Sequence, residues 1–207
     1  MKIVSKYFVL LIMLYSDRPL AQGTSGLSRT GIYEKVVHVA YDSASKELSG
    51  FISAESYGPD GKTIYQSCDL LFSGICANFS NCKIAFYIPN NADTESTGVI
   101  RLDGSNAILI SDEVILFCQN IFDFHSSDGY PFLFSTFRPY KFCRAIKQNK
   151  VRIYKEPTDS SATRMYLIKD DFVSILKEKE GWVYIEYQGK KDIYGWIRKE
   201  NLSPSIP

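Results

Sequence analysis

"EGWVYIEYQGKKDIYGWIRKENL" (residues 180–202) is the stretch that decides the fold. Two Gly-Trp pairs, Gly181-Trp182 and Gly195-Trp196, bracket an alternating run. Val183, Ile185 and Tyr187 share one face of it, Tyr184 and Glu186 the other. Side chains alternate across a strand, so a period of two with one apolar side marks a half-buried β-strand. Gln188-Gly189-Lys190-Lys191 is a turn, and Ile193-Tyr194-Gly195-Trp196-Ile197 is the returning strand of a hairpin.

The same pattern runs outward from this hairpin. Upstream of it lie apolar runs at 151–154, 165–168 and 172–176, broken by a Glu156-Pro157 turn and by Asp170-Asp171. Further upstream, strand-like runs occur at 32–41, 48–53, 64–72, 83–88, 98–102, 107–110, 116–122 and 132–137. Tyr57-Gly58-Pro59-Asp60-Gly61 carries strong turn chemistry, since Pro presets one turn dihedral and Gly supplies positive φ. Only residues 112–116 suggest a helical turn. Short strands separated by turns at this spacing predict an all-β chain, an antiparallel barrel or sandwich followed by a small barrel. Arg138-Pro139-Tyr140-Lys141 ends the first set, and the stretch to Asn149 reads as the junction. The expected divisions are a leader at 1–21, a barrel or sandwich domain at 25–142, and a small-barrel domain at 145–207.

The 207 residues carry 24 Lys+Arg and 23 Asp+Glu, a net charge of +1, which argues against a general nucleic-acid partner. The balance hides an asymmetry. Residues 22–146 hold 9 basic and 13 acidic side chains, a net of −4, and residues 147–207 hold 12 and 9, a net of +3. Opposite signs suit two domains that face each other, or a basic module that meets an acidic surface.

Lys2 and Lys6 precede the apolar run 7–15, and Ala21 is a suitable last residue of a cleaved piece. This reads as an export signal, with Asp17, Arg18 and Pro19 as departures from the ideal. The alternative is a buried N-terminal strand of a cytosolic protein. The run is too short to span a bilayer, which takes about 20 residues, and no other run approaches that length. Export to the periplasm or beyond is therefore expected, without an integral membrane segment.

In an exported chain the five cysteines can pair. Cys76 and Cys82 flank a short loop. Cys68 and Cys118 sit in apolar runs and could join neighbouring strands, which leaves Cys143 near the domain junction. No C-x-x-C is present, and the two histidines, His38 and His125, lie in unrelated contexts, so neither a metal site nor a redox motif is indicated. Asn78-Phe79-Ser80 has the form of a glycosylation acceptor.

The segment "VRIYKEPTDSSATRMYLIKDDFVSILKEKEGWVYIEYQGKKDIYGWIRKENL" (151–202) resembles a bacterial SH3 (SH3b) domain. The landmarks are Tyr154, Pro157, Gly181-Trp182, Gly195-Trp196-Ile197 and Leu202, and the resemblance covers about 145–203. Asp170-Asp171 stands where the family usually has Gly-Asp, which puts the geometry of that turn in question. The region 31–140 is loosely similar to the all-β domain that precedes an SH3-like domain in small exported bacterial proteins. The resemblance implies a non-catalytic module that binds peptidoglycan or an envelope protein.

Enzymatic alternatives weigh less. SH3b domains accompany Cys- and His-dependent cell-wall peptidases, but Cys68-Asp69-Leu70 lacks the strand-to-helix context of an activated thiol. Asp123, His125 and Asp128 lie in a loop whose simplest role is solvation, and Asp112-Glu113 would point apart on a strand rather than oppose each other across a cleft. No catalytic residue, metal ligand or cofactor is expected. The candidate ligand-binding residues are Tyr154, Trp182, Tyr184, Lys190 and Trp196. The two indoles suit packing more than groove lining, and the tyrosines and lysine suit an extended peptide bearing carboxylates. A periplasmic inhibitor or immunity-type protein that plugs a cell-wall enzyme is the alternative, and a Cys-dependent hydrolase a remote second.

Overall fold

A computed structural model describes residues 30–77, 81–89, 91, 93–103 and 105–204. The leader at 1–21 and the Asn78-Phe79-Ser80 motif lie outside these residues.

The chain is all-β. Eight strands, β1 (Gly31–Tyr33), β2 (Val37–Asp42), β3 (Glu47–Tyr57), β4 (Ile64–Ile75), β5 (Cys82–Tyr87), β6 (Thr94–Asp103), β7 (Asn106–Ser111) and β8 (Tyr130–Phe137), pair antiparallel in chain order, and β1 closes on β8. Eight strands make a barrel just wide enough for side chains to fill. Val37, Leu48, Ile52, Leu70, Phe72, Phe86, Leu109 and Phe132 fill it as alternate, inward-facing positions. At the closing pair, Gly31 has φ +146°, and a Cβ there would lie 2.1 Å from the Thr136 carbonyl oxygen. The barrel shuts at that register because the residue is glycine.

Two runs behave differently from their apolar pattern. Residues 32–41 are not one strand: Glu34 and Lys35 take positive φ (48° and 64°) and fold β1 back on β2. Neither is glycine, so this turn carries no sequence signature. Residues 116–122 are turns, not a strand. Ile115, Cys118 and Phe122 recur at i, i+3 and i+7, a helical period, and with Phe124 they pack into the barrel core. The segment between β7 and β8 is a plug.

The second unit is a six-stranded antiparallel sheet of order β11-β10-β14-β13-β12-β9. Its strands are β9 (Phe142–Ala145), β10 (Val151–Tyr154), β11 (Ala162–Leu167), β12 (Phe172–Lys179), β13 (Trp182–Gln188) and β14 (Asp192–Arg198). β12 and β13 join through Glu180-Gly181, both at positive φ (45° and 83°), the conformation whose twist matches that of a hairpin. Val151, Ile153, Leu167, Val173, Ile175, Val183, Ile185 and Ile197 form the core of this sheet. The stretch after Arg138 is more than a junction, because β9 within it hydrogen-bonds along β12.

The two units meet at a third cluster. Ile32, Ala40, Phe51, Leu71, Tyr87 and Tyr140 pack against Cys143, Ala145 and Phe172. The Phe51 and Phe172 rings stack at 4.9 Å. Arg144 donates to Glu47 at 2.8 Å across the same boundary, and the Cys143 amide donates to Ser49 Oγ at 3.1 Å.

Cys68–Cys118 ties the plug to β4 (Cα–Cα 4.7 Å), and Cys76–Cys82 closes the loop between β4 and β5 (5.2 Å). Cys143 is unpaired and buried. Urea unfolding of the Cys68→Ser/Cys118→Ser variant should show a loss of about 4 kcal/mol, against about 2 kcal/mol for Cys76→Ser/Cys82→Ser, because loop-closure entropy grows with loop length. Unreduced protein in denaturant should titrate one thiol; four or more would exclude both bridges.

Candidate binding site

On β13 and β14, the positions facing away from the sheet core are Trp182, Tyr184, Glu186 and Tyr194, Trp196, Arg198, set opposite one another in register (Trp182↔Arg198, Tyr184↔Trp196, Glu186↔Tyr194). Tyr154 of β10 pairs with Trp196. One face therefore gathers four of the five candidate residues. The Tyr154 ring meets Trp182 edge-on at 4.9 Å, and Tyr184 lies 5.3 Å from Trp196. Two cations cover the indoles. The Arg198 guanidinium sits 3.9 Å over Trp182, and Lys177 Nζ lies 4.7 Å from the Tyr184 ring and 5.4 Å from that of Trp196. Asp159 holds Arg198 in place through bonds of 2.6 and 2.7 Å.

Exposure divides the roles within this aromatic shelf. Trp182 and Trp196 are 4% and 8% exposed, so their area is already spent on packing. Tyr154 and Tyr184 are half-buried and Lys177 is exposed, so these three meet solvent. Lys177 escaped the sequence reading because a bulge between Ile175 and Lys177 shifts the register and sets it opposite Tyr184. Lys190 is not part of the shelf. It lies in the turn beyond Gln188↔Asp192, about 20 Å along the hairpin from Tyr184 at ~3.3 Å per residue.

That turn borders a second feature, a cleft of about 630 Å3 between the two units. Lys35, Phe51 and Asp69 line it from the barrel, and Asp171, Phe172 and Gln188 from the sheet. Burial raises the Asp171 carboxyl above its ordinary range, although the Ile168 amide and the Tyr187 hydroxyl bond to it. Asp170, in the position usual for glycine, has φ +73°, so this turn keeps a left-handed residue despite the changed side chain.

Behind the cleft, buried in the seam, runs a hydrogen-bonded chain. His38 Nδ1 lies 2.8 Å from Ser174 Oγ, and Nε2 lies 2.7 Å from Gln188 Oε1. Since an amide oxygen only accepts, Nε2 carries the proton and Ser174 donates to Nδ1. Cys143 Sγ is 3.6 Å from the same Ser174 Oγ. A thiol, a hydroxyl and an imidazole in sequence look like a nucleophilic device, but their electrostatics oppose it. Burial pushes the Cys143 thiol up to about 12 and drives His38 down to about 4, the reverse of the shifts that activate a thiolate. Ser174 and His38 are 0% and 1% exposed. Among the described residues no cluster of His, Cys, Asp or Glu could hold a metal ion, and no helix is long and apolar enough to cross a membrane.

Residues 147–204, about a quarter of the chain, match the family model for the bacterial SH3 domain, and the barrel segment before them matches no family model. No curated protein and no solved structure matches the chain.

The seam makes a pH prediction. His38 has a folded-state pKa of about 4 against 6.5 in the unfolded chain, mainly from burial, with Arg138 adding slightly and Gln188 and Asp192 opposing. Between those values the unfolded chain binds the extra proton. His38's contribution to stability is therefore complete above pH 6.5 and is lost as pH falls toward 4. The loss should reach the order of 3 kcal/mol, read as a falling denaturation midpoint between pH 7 and 4. His38→Gln should flatten that limb.

Proposed function

Taking residues 147–204 as a bacterial SH3 domain docked on an eight-stranded barrel, we propose that the protein is an exported, non-catalytic binding protein of the cell envelope. It recognises peptidoglycan stem peptide through the face that carries Tyr154, Tyr184 and Lys177. The observation that carries this reading is the shelf itself. Two partly exposed tyrosines stand over a floor of buried indoles, with cations at the rim. Rigid aromatic rings supply contact area at low entropic cost, and Lys177 suits a carboxylate of an extended peptide. Export is supported by the charged and apolar pattern at 1–21 and by two cysteine pairs at disulfide distance, which persist in oxidising compartments. A non-catalytic role is supported by the seam, where the free thiol is held protonated and away from solvent.

One observation favours the alternative, an inhibitor that blocks a cell-wall enzyme. The β3–β4 ribbon continues past its neighbours: β2 pairs with β3 only to Ile52 and β5 with β4 only over 71–73. Its free end exposes Tyr57, Ile64 and Tyr65 at 54%, 52% and 77%, an arm of the shape and character that enters a partner's cleft.

Retention of the full chain on purified peptidoglycan tests the first reading. Tyr184→Ala should weaken retention about tenfold while leaving the melting temperature within ~2 °C. A variant that binds normally but melts well below the parent would reduce the shelf to packing and end this assignment. Tyr65→Ser should leave retention intact. If it instead abolishes inhibition of a cell-wall hydrolase by the parent protein, the alternative replaces the first reading.

A further inference from the structure

The outer edge of the second sheet carries a group of charges that the shelf does not use. Arg152 of β10 stands opposite Tyr166 of β11, so the two side chains leave the sheet on the same side. Arg164 precedes Tyr166 by two residues and shares that side. Lys150 folds over from the strand start, with Nζ 4.7 Å from the Tyr166 ring centroid. These four side chains line one groove of about 210 Å3.

No counter-charge meets this cluster, in contrast to Arg138 with Glu186, Arg144 with Glu47, Arg198 with Asp159 and Lys199 with Glu178. Among the described residues no carboxylate pairs with Lys150, Arg152 or Arg164. Like charges on neighbouring strands repel, and each could reduce that cost by pairing with an acid. β11 is also the free edge of the sheet, on the far side from the barrel-facing β9, so among the described residues no strand covers the groove's margin.

We propose that the Lys150–Arg152–Arg164–Tyr166 groove binds a phosphate group. Two guanidinium forks and one ammonium offer more donors than the two oxygens of a carboxylate can accept. A phosphate presents three or four oxygens and up to two charges, and it suits bidentate arginine geometry. The Tyr166 hydroxyl is a further donor, and the groove is the size of one such group rather than of a polymer. The phosphate is either free or carried on a lipid headgroup. The exposed Ile168, two residues beyond Tyr166, would lie against a headgroup layer in the second case.

The full chain in phosphate-free buffer is titrated with inorganic phosphate, followed by NMR shifts of the β10 and β11 amides. In parallel it is sedimented with phosphatidylcholine vesicles that contain either phosphatidylglycerol or oleate at equal surface charge. Saturable shifts with inorganic phosphate, weakened at least tenfold by Arg164→Gln or Arg152→Gln, assign the free group. Preference for phosphatidylglycerol over oleate, lost in the same variants, assigns the lipid-borne one. Both variants should melt like the parent, because neither residue is buried or paired. The proposal is overturned if free phosphate produces no saturable shift and the two vesicle types bind alike, or if the double variant binds as the parent does. Peptidoglycan retention by the double variant reads the shelf separately, so the two assignments can fail independently.

Discussion

The architecture depends on keeping a small set of polar atoms satisfied where two β-units exclude water. His38 is sandwiched between the Phe51 and Tyr140 rings at 4.2 and 5.5 Å and bonded at both nitrogens. Both partners, Ser174 and Gln188, come from the other unit. An unmet buried donor or acceptor costs about 1–3 kcal/mol, so the imidazole specifies how the sheet may sit on the barrel. Glu186 adds to the constraint. Its carboxylate is fully buried, with the Arg138 guanidinium 3.5 Å away. Burial of the Tyr140 hydroxyl, reinforced by that carboxylate, raises its pKa strongly. Apolar contacts such as Phe51 on Phe172 supply the attraction across the seam, while these polar groups select one arrangement from the many that would bury similar area.

One sheet face serves two purposes. Toward β9 and the start of β12 it is the docking surface, where Cys143, Ala145, Phe172 and Ser174 meet the barrel. Toward the other end of β13 and β14 it becomes the shelf of Tyr154, Trp182, Tyr184 and Trp196. Glu186 lies between the two. The hairpin that carries the shelf is the same hairpin whose Gln188 is anchored to His38, so the shelf's strands are held in place from the seam.

Much of this was legible in the chain. Period-two patterns marked nearly every strand, and the residues 180–202 placed the hairpin, its turns and the inward position of Val183 and Ile185. Cys68 with Cys118, and Cys76 with Cys82, could be paired from context, although Cys118 proved to sit on a plug. Three features were harder to see. The Glu34-Lys35 turn has no glycine to announce it. The run 116–122 is apolar enough to pass for a strand, and only the i, i+3, i+7 spacing of Ile115, Cys118 and Phe122 betrays it. The seam pairs His38 with residues 136 and 150 positions away, a proximity that local pattern cannot express. A hint existed in β2, where Val37, His38, Val39 and Ala40 are all buried, leaving no solvent side. A strand wet on one face would alternate.

β9 has an implication for how this molecule can be divided. It lies outside the segment that matches the SH3 family, yet it supplies the outermost rung beside β12 and is itself covered by β2 and β3. A fragment trimmed to residues 147–204 would leave the amides and carbonyls of Val173 and Ile175 open along one margin, with the Phe172 ring bare. Such a margin is a template for a second molecule, and the fragment would tend to dimerise or exchange strands. The natural cut for a self-contained module falls before β9, just past Arg138, where the barrel's last strand has ended.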